Sequence, residues 1–409
     1  MRTRIASLCV LAVAAVVMLG GARAATAQQV VKFGEGQTLT ISGFISATLF
    51  TNRGRFGQFG QGQNAEWADS IALATDRVFT DGDVRNTRIN FTFAAGPVLG
   101  KWSPRATLEA DFFGQQGAPP FGDEQPQLRV RFAYADLTNG RTTIRIGQYW
   151  SPLFGETPVS LSHLAFPVGY GASGKVGWRF PGIFLYHDLN PGKPVVAQLQ
   201  LAAFEGSGPA TAGRDAALGT GQGEASGLPQ LEALLNFTKR SPKLNWSAYV
   251  VGHVDWKDTT GVGRDTTNTG AQDSNLSGFA IEGGGNVASG KFSVRGNVYY
   301  GKAIGQQFGH ITQQGNVRGY GAWAQVGYDF TPRWSYFFYY GIDNPNEDRF
   351  AQDNGGAVLA RKENQDAAAL LRFRAGRYAL GLEYLRAMTR WSTGLTNAQQ
   401  FALSVLYTL

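Results

Sequence analysis

The chain has 409 residues, of which 54 are glycine, 12% are aromatic and only 16% are charged; glycine stands at nearly twice its usual share of roughly 7%. The formal charge of +7 shrinks once the arginines of the N-terminal leader are set aside, an excess too mild for a nucleic-acid partner. Past the N-terminus no apolar run approaches the ~20 residues of a membrane helix, which excludes a helical membrane protein.

Residues 1–27 read as a secretory signal peptide. Arg2 and Arg4 supply its positive start, Ile5–Leu19 its apolar stretch, and Ala25-Thr26-Ala27 a small-x-small cleavage site, with Ala22-Arg23-Ala24 as a competing one. The single cysteine, Cys9, lies inside this leader, so the mature chain is expected to have neither disulfides nor thiol chemistry. Residues 28–37 form a short periplasmic segment, with no coiled coil or plug expected ahead of residue 38.

The first strand candidate is TLTISGFISATLF, with Leu39, Ile41, Ile45, Ala47 and Leu49 on one face and Thr40, Ser42, Ser46 and Thr48 on the other. From Val84 to Gln148 four more follow: VRNTRINFTFAA, RATLEADFFG, LRVRFAYADL and TTIRIGQ. Their apolar face carries Ile89, Phe91, Phe93, Ala106, Leu108, Ala110, Phe112, Val130, Phe132 and Tyr134. The opposite face carries Arg88, Asn90, Thr92, Glu109, Asp111, Arg129, Arg131 and Arg145. Charges of both signs in mid-strand, between large apolar neighbours, suit a barrel in lipid with a wet interior.

The same alternation continues at Phe180–His187, Val195–Phe204, Gln230–Thr238, Leu244–Trp256, Phe279–Val287, Phe292–Gly301, Ala322–Tyr328, Trp334–Ile342, Asp366–Arg374, Tyr378–Met388 and Ala398–Leu409. With the first five these make sixteen. Short links, among them Asn139-Gly140, Asn190-Pro191-Gly192, Ser289-Gly290 and Ala375-Gly376, hold the residues tight turns favour. They alternate with long polar stretches at Asn52–Asp83, Gly114–Pro126, Trp150–Gly177, Gly206–Leu228, Lys257–Asn275, Lys302–Arg318 and Asp343–Glu363. Short periplasmic turns and long external loops are the habit of bacterial outer-membrane barrels. The expected fold is therefore all-β: one transmembrane antiparallel β-barrel over residues 38–409. Trp246 and Trp256, ten residues apart on one face, are separated by about the height of a lipid band, roughly 25 Å, and Phe292 with Tyr300 and Trp334 with Tyr340 repeat the paired-girdle pattern on other strands.

The third long loop, Trp150–Gly177, is almost uncharged, with Glu156 its sole acid. Leu153, Phe154, Leu164, Phe166 and Tyr170 would sit poorly in open water, which favours folding inward as a pore constriction over capping the barrel outside. Lumen candidates are Arg88, Arg129, Arg131, Arg145, Arg295 and Arg372, opposed by Glu109, Asp111, Glu232, Asp255 and Glu282. An arginine left unpaired in a narrow pore attracts anions. Arg386 shares parity with Leu382 and Tyr384, so a bulge or strand end is expected beside it. No catalytic residue, cofactor or metal site is expected. His163, His187, His253 and His310 lie on separate elements, and neighbours such as Ser162 and His163 on a strand would point apart. Asp265, Asn268 and Asp273 lack the spacing of a calcium loop.

RNTRINFTF, LEADFFG, LRVRFAYADL and RIGQYW, in that order and spacing, resemble the trimeric DcaP-like porins over roughly Val84–Phe154. The resemblance implies a sixteen-stranded channel for dicarboxylic and other negatively charged small molecules, with Arg88, Arg129 and Arg131 on the lumen wall. It also implies a homotrimer, although the coiled-coil segment common in that family is not expected here. GQYWSPLFGE is similar to phosphate-selective porins as well, without a basic ladder dense enough for that selectivity. The final FALSVLYTL, with Phe401, Leu403, Val405, Tyr407 and Leu409 on one parity, resembles the signal read by the barrel-assembly machinery, with Leu409 in place of the usual terminal aromatic. The expected function is an outer-membrane porin of a Gram-negative-type bacterium, set in outer-membrane lipid and passing small hydrophilic solutes with a mild preference for anions. The alternatives are a plugged structural or adhesion barrel and, further off, a rim-site hydrolase.

Overall fold

The computed structural model describes residues 29–33, 36–57, 66–70, 78–98, 100–114, 125–208, 217, 219–259, 275–305, 315–346 and 361–409. The leader with Cys9, and His310, Asp265, Asn268 and Asp273, lie outside the described residues. The strands are β1 (Gln29–Phe33), β2 (Gln37–Arg53), β3 (Val78–Asp83), β4 (Arg88–Ala94), β5 (Ser103–Asp111), β6 (Arg129–Asn139), β7 (Thr142–Trp150), β8 (Arg179–Asp188) and β9 (Val195–Phe204). After them come β10 (Gln230–Lys239), β11 (Asn245–Asp258), β12 (Asn275–Ser289), β13 (Phe292–Lys302), β14 (Arg318–Asp329), β15 (Trp334–Pro345), β16 (Arg361–Ala375), β17 (Tyr378–Trp391) and β18 (Gly394–Thr408).

From β4 onward each strand pairs antiparallel with the next, β1, β3 and β4 each pair antiparallel with β2, and β18 returns to β2, closing the sheet. Two positions in the wall are shared. β3 covers Thr48–Arg53 of β2 and β4 covers Thr38–Phe44 of the same strand, while β1 continues the edge of β18 along Gln37–Ile41. The result is a closed barrel of 16 strands. Closure satisfies every ladder N–H and C=O without an open edge, which only helices and closed barrels achieve in lipid.

Burial alternates along the strands as the sequence alternates. In β11 Tyr249, Val251, His253, Asp255 and Lys257 are buried while Ala248, Val250, Gly252 and Val254 are exposed. Outside, Leu49 is 63% and Ile146 59% exposed; inside, Asp111 is 0% and Arg131 2% exposed. An apolar face left this open would not persist in water, so lipid is its solvent.

Three local readings change. The stretch Asn52–Asp83 is not all loop, because Val78–Asp83 is strand; VFTDGD lacks a clean apolar face since it pairs only with the outer end of β2. In β6 a bulge opposite Glu109 and Ala110 leaves Arg131 as the extra residue, so Ala110 faces Val130 but Glu109 faces Phe132. One inserted residue reverses every later side chain. Phe132 and Tyr134 therefore point inward and Ala133 and Ala135 outward. Finally, β17 is regular across Glu383 and Arg386, with neither bulge nor strand end. Arg386 simply stands exposed on the outer face opposite Ala367 and Gln399.

Candidate functional site: the barrel interior

Inward parity brings the charges of β4, β5 and β6 together. Arg131 donates through Nε to Glu109 at 2.9 Å and through Nη1 to Asp111 at 2.8 Å. Arg129 grips both oxygens of Asp111 at 3.0 and 2.7 Å, a two-pronged match of guanidinium to carboxylate. Arg88 lies 3.6 Å from Glu109 and donates to the Leu164 carbonyl at 3.0 Å. Arg145 is held by Asp136 at 2.7 and 2.9 Å, with its guanidinium 3.8 Å from the Tyr134 ring and 3.9 Å from Tyr149. Asp136 escaped the sequence reading because the bulge in β6 changed its face. Arg295 donates to Thr157 O at 3.1 Å, and Arg372 lies over the Phe337 ring with Ser335 at 3.5 Å.

A further cation was not anticipated. Arg179, the first residue of β8, is 5% exposed, yet it shares odd numbering with the exposed Pro181 and Ile183. Its guanidinium lies 4.3 Å from Trp178 and 4.7 Å from Trp150, and among the described residues Nε and Nη1 have no hydrogen-bond partner. No strand pattern could have flagged it, because the chain enters the wall there from a buried loop.

On the far wall Glu232 accepts from His253 at 2.9 Å, and His253 bonds Asp255 at 2.8 Å, with Lys257 bound to the other oxygen of Asp255. Glu282 accepts from the Tyr249 hydroxyl at 2.6 Å.

Residues 151–178 connect β7 to β8, and their polar contacts are with inward side chains around the wall. Leu153 N donates to Glu232 at 2.8 Å, Glu156 N to Tyr249 at 3.2 Å, Val159 N to Gln325 at 2.7 Å and Leu161 N to Glu383 at 3.1 Å. Ser173 Oγ donates to Asp366 at 2.6 Å, and Asn297 donates to Gly174 O at 2.8 Å. On the near side Asn86 binds Ser162 O and Ala165 N. Buried peptide groups need partners, and here the wall's side chains supply them in place of water. Gly174 passes so close to β14 that a Cβ would lie 2.3 Å from the Ala322 carbonyl carbon. The apolar members pack among aromatics: Phe154 stacks on Trp150 at 3.6 Å, Phe166 on Trp178 at 5.7 Å, Tyr170 lies 5.1 Å from Trp178, and Leu153 is wholly buried.

Two ionisable groups of the loops are perturbed by this packing. Burial, then the neighbouring Asp366, hold Glu66 well above the usual carboxylate range, although Gly169 N donates to it at 2.9 Å. Burial pushes Lys175 down to about 7, with Glu282 and Glu156 opposing, and its Nζ sits 3.4 Å from the Phe154 ring centre. Between about 7 and the ordinary 10.5 the unfolded chain holds a proton that the folded one lacks, so stability climbs with pH over that window. The unfolding temperature is therefore expected to be higher at pH 10 than at pH 7, and Lys175→Met to shrink that rise. An equal rise in the variant, measured by thermal melts in detergent, would assign it elsewhere.

Ser162 and His163 do meet, contrary to the strand-based expectation, because they sit on this loop: Ser162 Oγ lies 2.8 Å from His163 Nδ1. Glu383 approaches the same nitrogen at 3.3 Å. A Ser–His–acid relay needs hydroxyl and carboxylate on opposite ring nitrogens, and this arrangement is not one. In His253 both nitrogens are taken by carboxylates. Among the described residues no group of three or more His, Cys, Asp or Glu is placed to hold a metal ion.

A closed antiparallel barrel with an apolar exterior and a charged interior is the architecture of bacterial outer-membrane proteins, and this chain is an outer-membrane β-barrel. Among solved structures it is similar to the outer membrane channel DcaP of Acinetobacter baumannii, at 17% identity over 93% of this chain and 99% of that one, with a TM-score of 0.67. OprB of Pseudomonas putida matches at 11% identity over 90% and 94%, TM-score 0.54, and OmpT of Vibrio cholerae at 11% over 93% and 100%, TM-score 0.52. At such identities the likeness is one of fold. No family model and no curated protein matches the chain.

Proposed function

We propose that the chain forms a water-filled channel through which small hydrophilic solutes diffuse, with a mild preference for anions such as dicarboxylates. One observation carries the preference. Where segment 151–178 meets the wall, four guanidinium groups (Arg88, Arg129, Arg131 and Arg179) stand against two carboxylates, Glu109 and Asp111, and Arg179 has donors to spare. A surplus of fixed positive charge beside a narrow aqueous path concentrates anions. In this reading Arg145, Arg295 and Arg372 also line the pore, and Leu153, Phe154, Glu156, Phe166 and Tyr170 belong to the constriction. The channel performs no chemical step and needs no cofactor. A homotrimer is consistent with Vibrio cholerae OmpT, of which a trimer form is solved. Export by residues 1–27 and handover to the assembly machinery through Phe401–Leu409 complete the proposal.

The test is the reversal potential of single channels in a planar bilayer under a potassium chloride gradient. An anion-leaning value is expected, moved toward zero by Arg179→Gln. A cation-leaning value would mean that Glu109 and Asp111 dominate and would end the anion reading. The anchoring of segment 151–178 on strands from β10 to β16 and on β17 favours one second reading, a plugged barrel, and folded protein that carries no current would establish it.

A further inference from the structure

A cavity of about 480 Å³ lies on the short-turn side of segment 151–178, within the roughly 300–1,000 Å³ range of small-molecule sites. One wall is aromatic, formed by Tyr149, Trp150 and Phe154, with Trp150 and Phe154 stacked into a single slab. The rest of the wall carries four side-chain amides: Gln200 of β9, Asn236 of β10, Asn245 of β11 and Asn286 of β12.

Hydrogen bonds behind this wall fix which way two of the amides face. Asp188 is a carboxylate and can only accept, so the contact from Gln198 at 2.8 Å is made by Nε2. That turns Gln198 Oε1 to Gln200, whose Nε2 donates to it at 2.9 Å. Gln200 then has its carbonyl oxygen left as an acceptor, beside the second hydrogen of Nε2. Asn286 is set in the same way, because its Nδ2 donates to the Glu156 carboxylate and to Ser247. Asn236 donates to Thr238 at 3.2 Å, which leaves its Oδ1 as the third acceptor.

An occupant that uses these three oxygens must donate hydrogen bonds, while Asn245, whose Oδ1 accepts from Ser241 N at 3.0 Å, offers its Nδ2 as a donor. A carboxylate at neutral pH has no proton to give these oxygens and would use only Lys239, Arg240 and the amide N–H groups of the lining. An ammonium would find Glu156, whose Oε1 is already bonded by Asn286 and Ser247, but would also meet Lys239 and Arg240. A neutral solute rich in hydroxyls, which both donate and accept, matches the whole lining, and a flat ring face would lie against the aromatic slab. We infer that this chamber is a binding subsite for a neutral, polyhydroxylated ring solute of the sugar kind. The inference rests on the channel reading, since a solute reaches the chamber by way of the pore.

Maltose titrated into the folded barrel in detergent, followed by tryptophan fluorescence, tests this without requiring conduction. A saturable change is expected, because Trp150 forms part of the wall. Sorbitol, an open-chain polyol with hydroxyls but no ring face, is expected to give none. Gln200→Leu and Asn286→Leu, each measured on the heat-modifiable folded fraction, are expected to weaken maltose about fivefold, the worth of roughly one hydrogen bond. No saturation with maltose, or unchanged affinity in both variants, would overturn the inference. A bilayer current without a maltose signal would sink the subsite alone. A maltose signal without any current would keep the subsite and sink free diffusion.

Discussion

Excising residues 156–173 and joining the ends with a short glycine–serine link is expected to raise single-channel conductance several-fold. The barrel itself should survive, because its closure is a ladder of backbone hydrogen bonds to which this segment contributes nothing. What holds the segment is a set of side chains that replace water around a buried loop. Glu383 is the most heavily used: it accepts from Ser160 Oγ with both oxygens at 2.8 Å and from Leu161 N at 3.1 Å. Bonds to a charged acceptor are worth about 1.5–3 kcal/mol each. Glu383→Gln should then loosen the segment without removing it, and appear as flickering of the open-channel current. If the excised barrel conducts no more than the parent, the segment does not set the limit to flow, and the constriction reading is lost.

Arg131→Gln is expected to give the largest loss of stability of any wall substitution considered. Arg131 is 2% exposed and bridges Glu109 and Asp111, which are themselves buried. Removing one partner from a buried ion pair leaves an uncompensated charge and costs on the order of 3–5 kcal/mol. Asp111 keeps Arg129, but Glu109 keeps only the longer contacts to Arg88 at 3.6 Å and to Asn90 at 3.4 Å. The temperature at which the compact gel form disappears should fall, and Arg131→Gln with Glu109→Gln should recover part of the loss. The single variant should also shift the reversal potential toward cations. A variant as heat-resistant as the parent would show that water reaches the cluster and screens it.

The strand count, the antiparallel order and the alternation of short and long connections were legible because lipid outside and water inside impose opposite demands on successive residues. That contrast is strongest in mid-strand and fades where both faces are wet. The outer ends Asn275–Ser277, Arg361–Gln365 and Gly394–Asn397 were therefore missed, although the backbone ladder continues through them. The charged face of β4 and β5 was readable for the same reason: Glu109 and Asp111 alternate with Leu108 and Ala110.

What period and composition determine, then, is which residues face lipid wherever the register runs unbroken. The tertiary structure decided the rest. One extra residue at Arg131 turned Phe132, Tyr134 and Asp136 inward and supplied Arg145 with its carboxylate, and a single-residue shift leaves no mark on a sequence beyond ordinary alternation. Segment 151–178 has no period at all. Its anchors on Glu232, Gln325, Asp366 and Glu383 lie 79 to 223 residues away along the chain. Arg179, the cation with unused donors, is buried only because that segment delivers it to the wall between two tryptophans. Local pattern fixes the wall, since each strand answers to its own solvent; the interior is fixed by contacts that exist only once the barrel has closed.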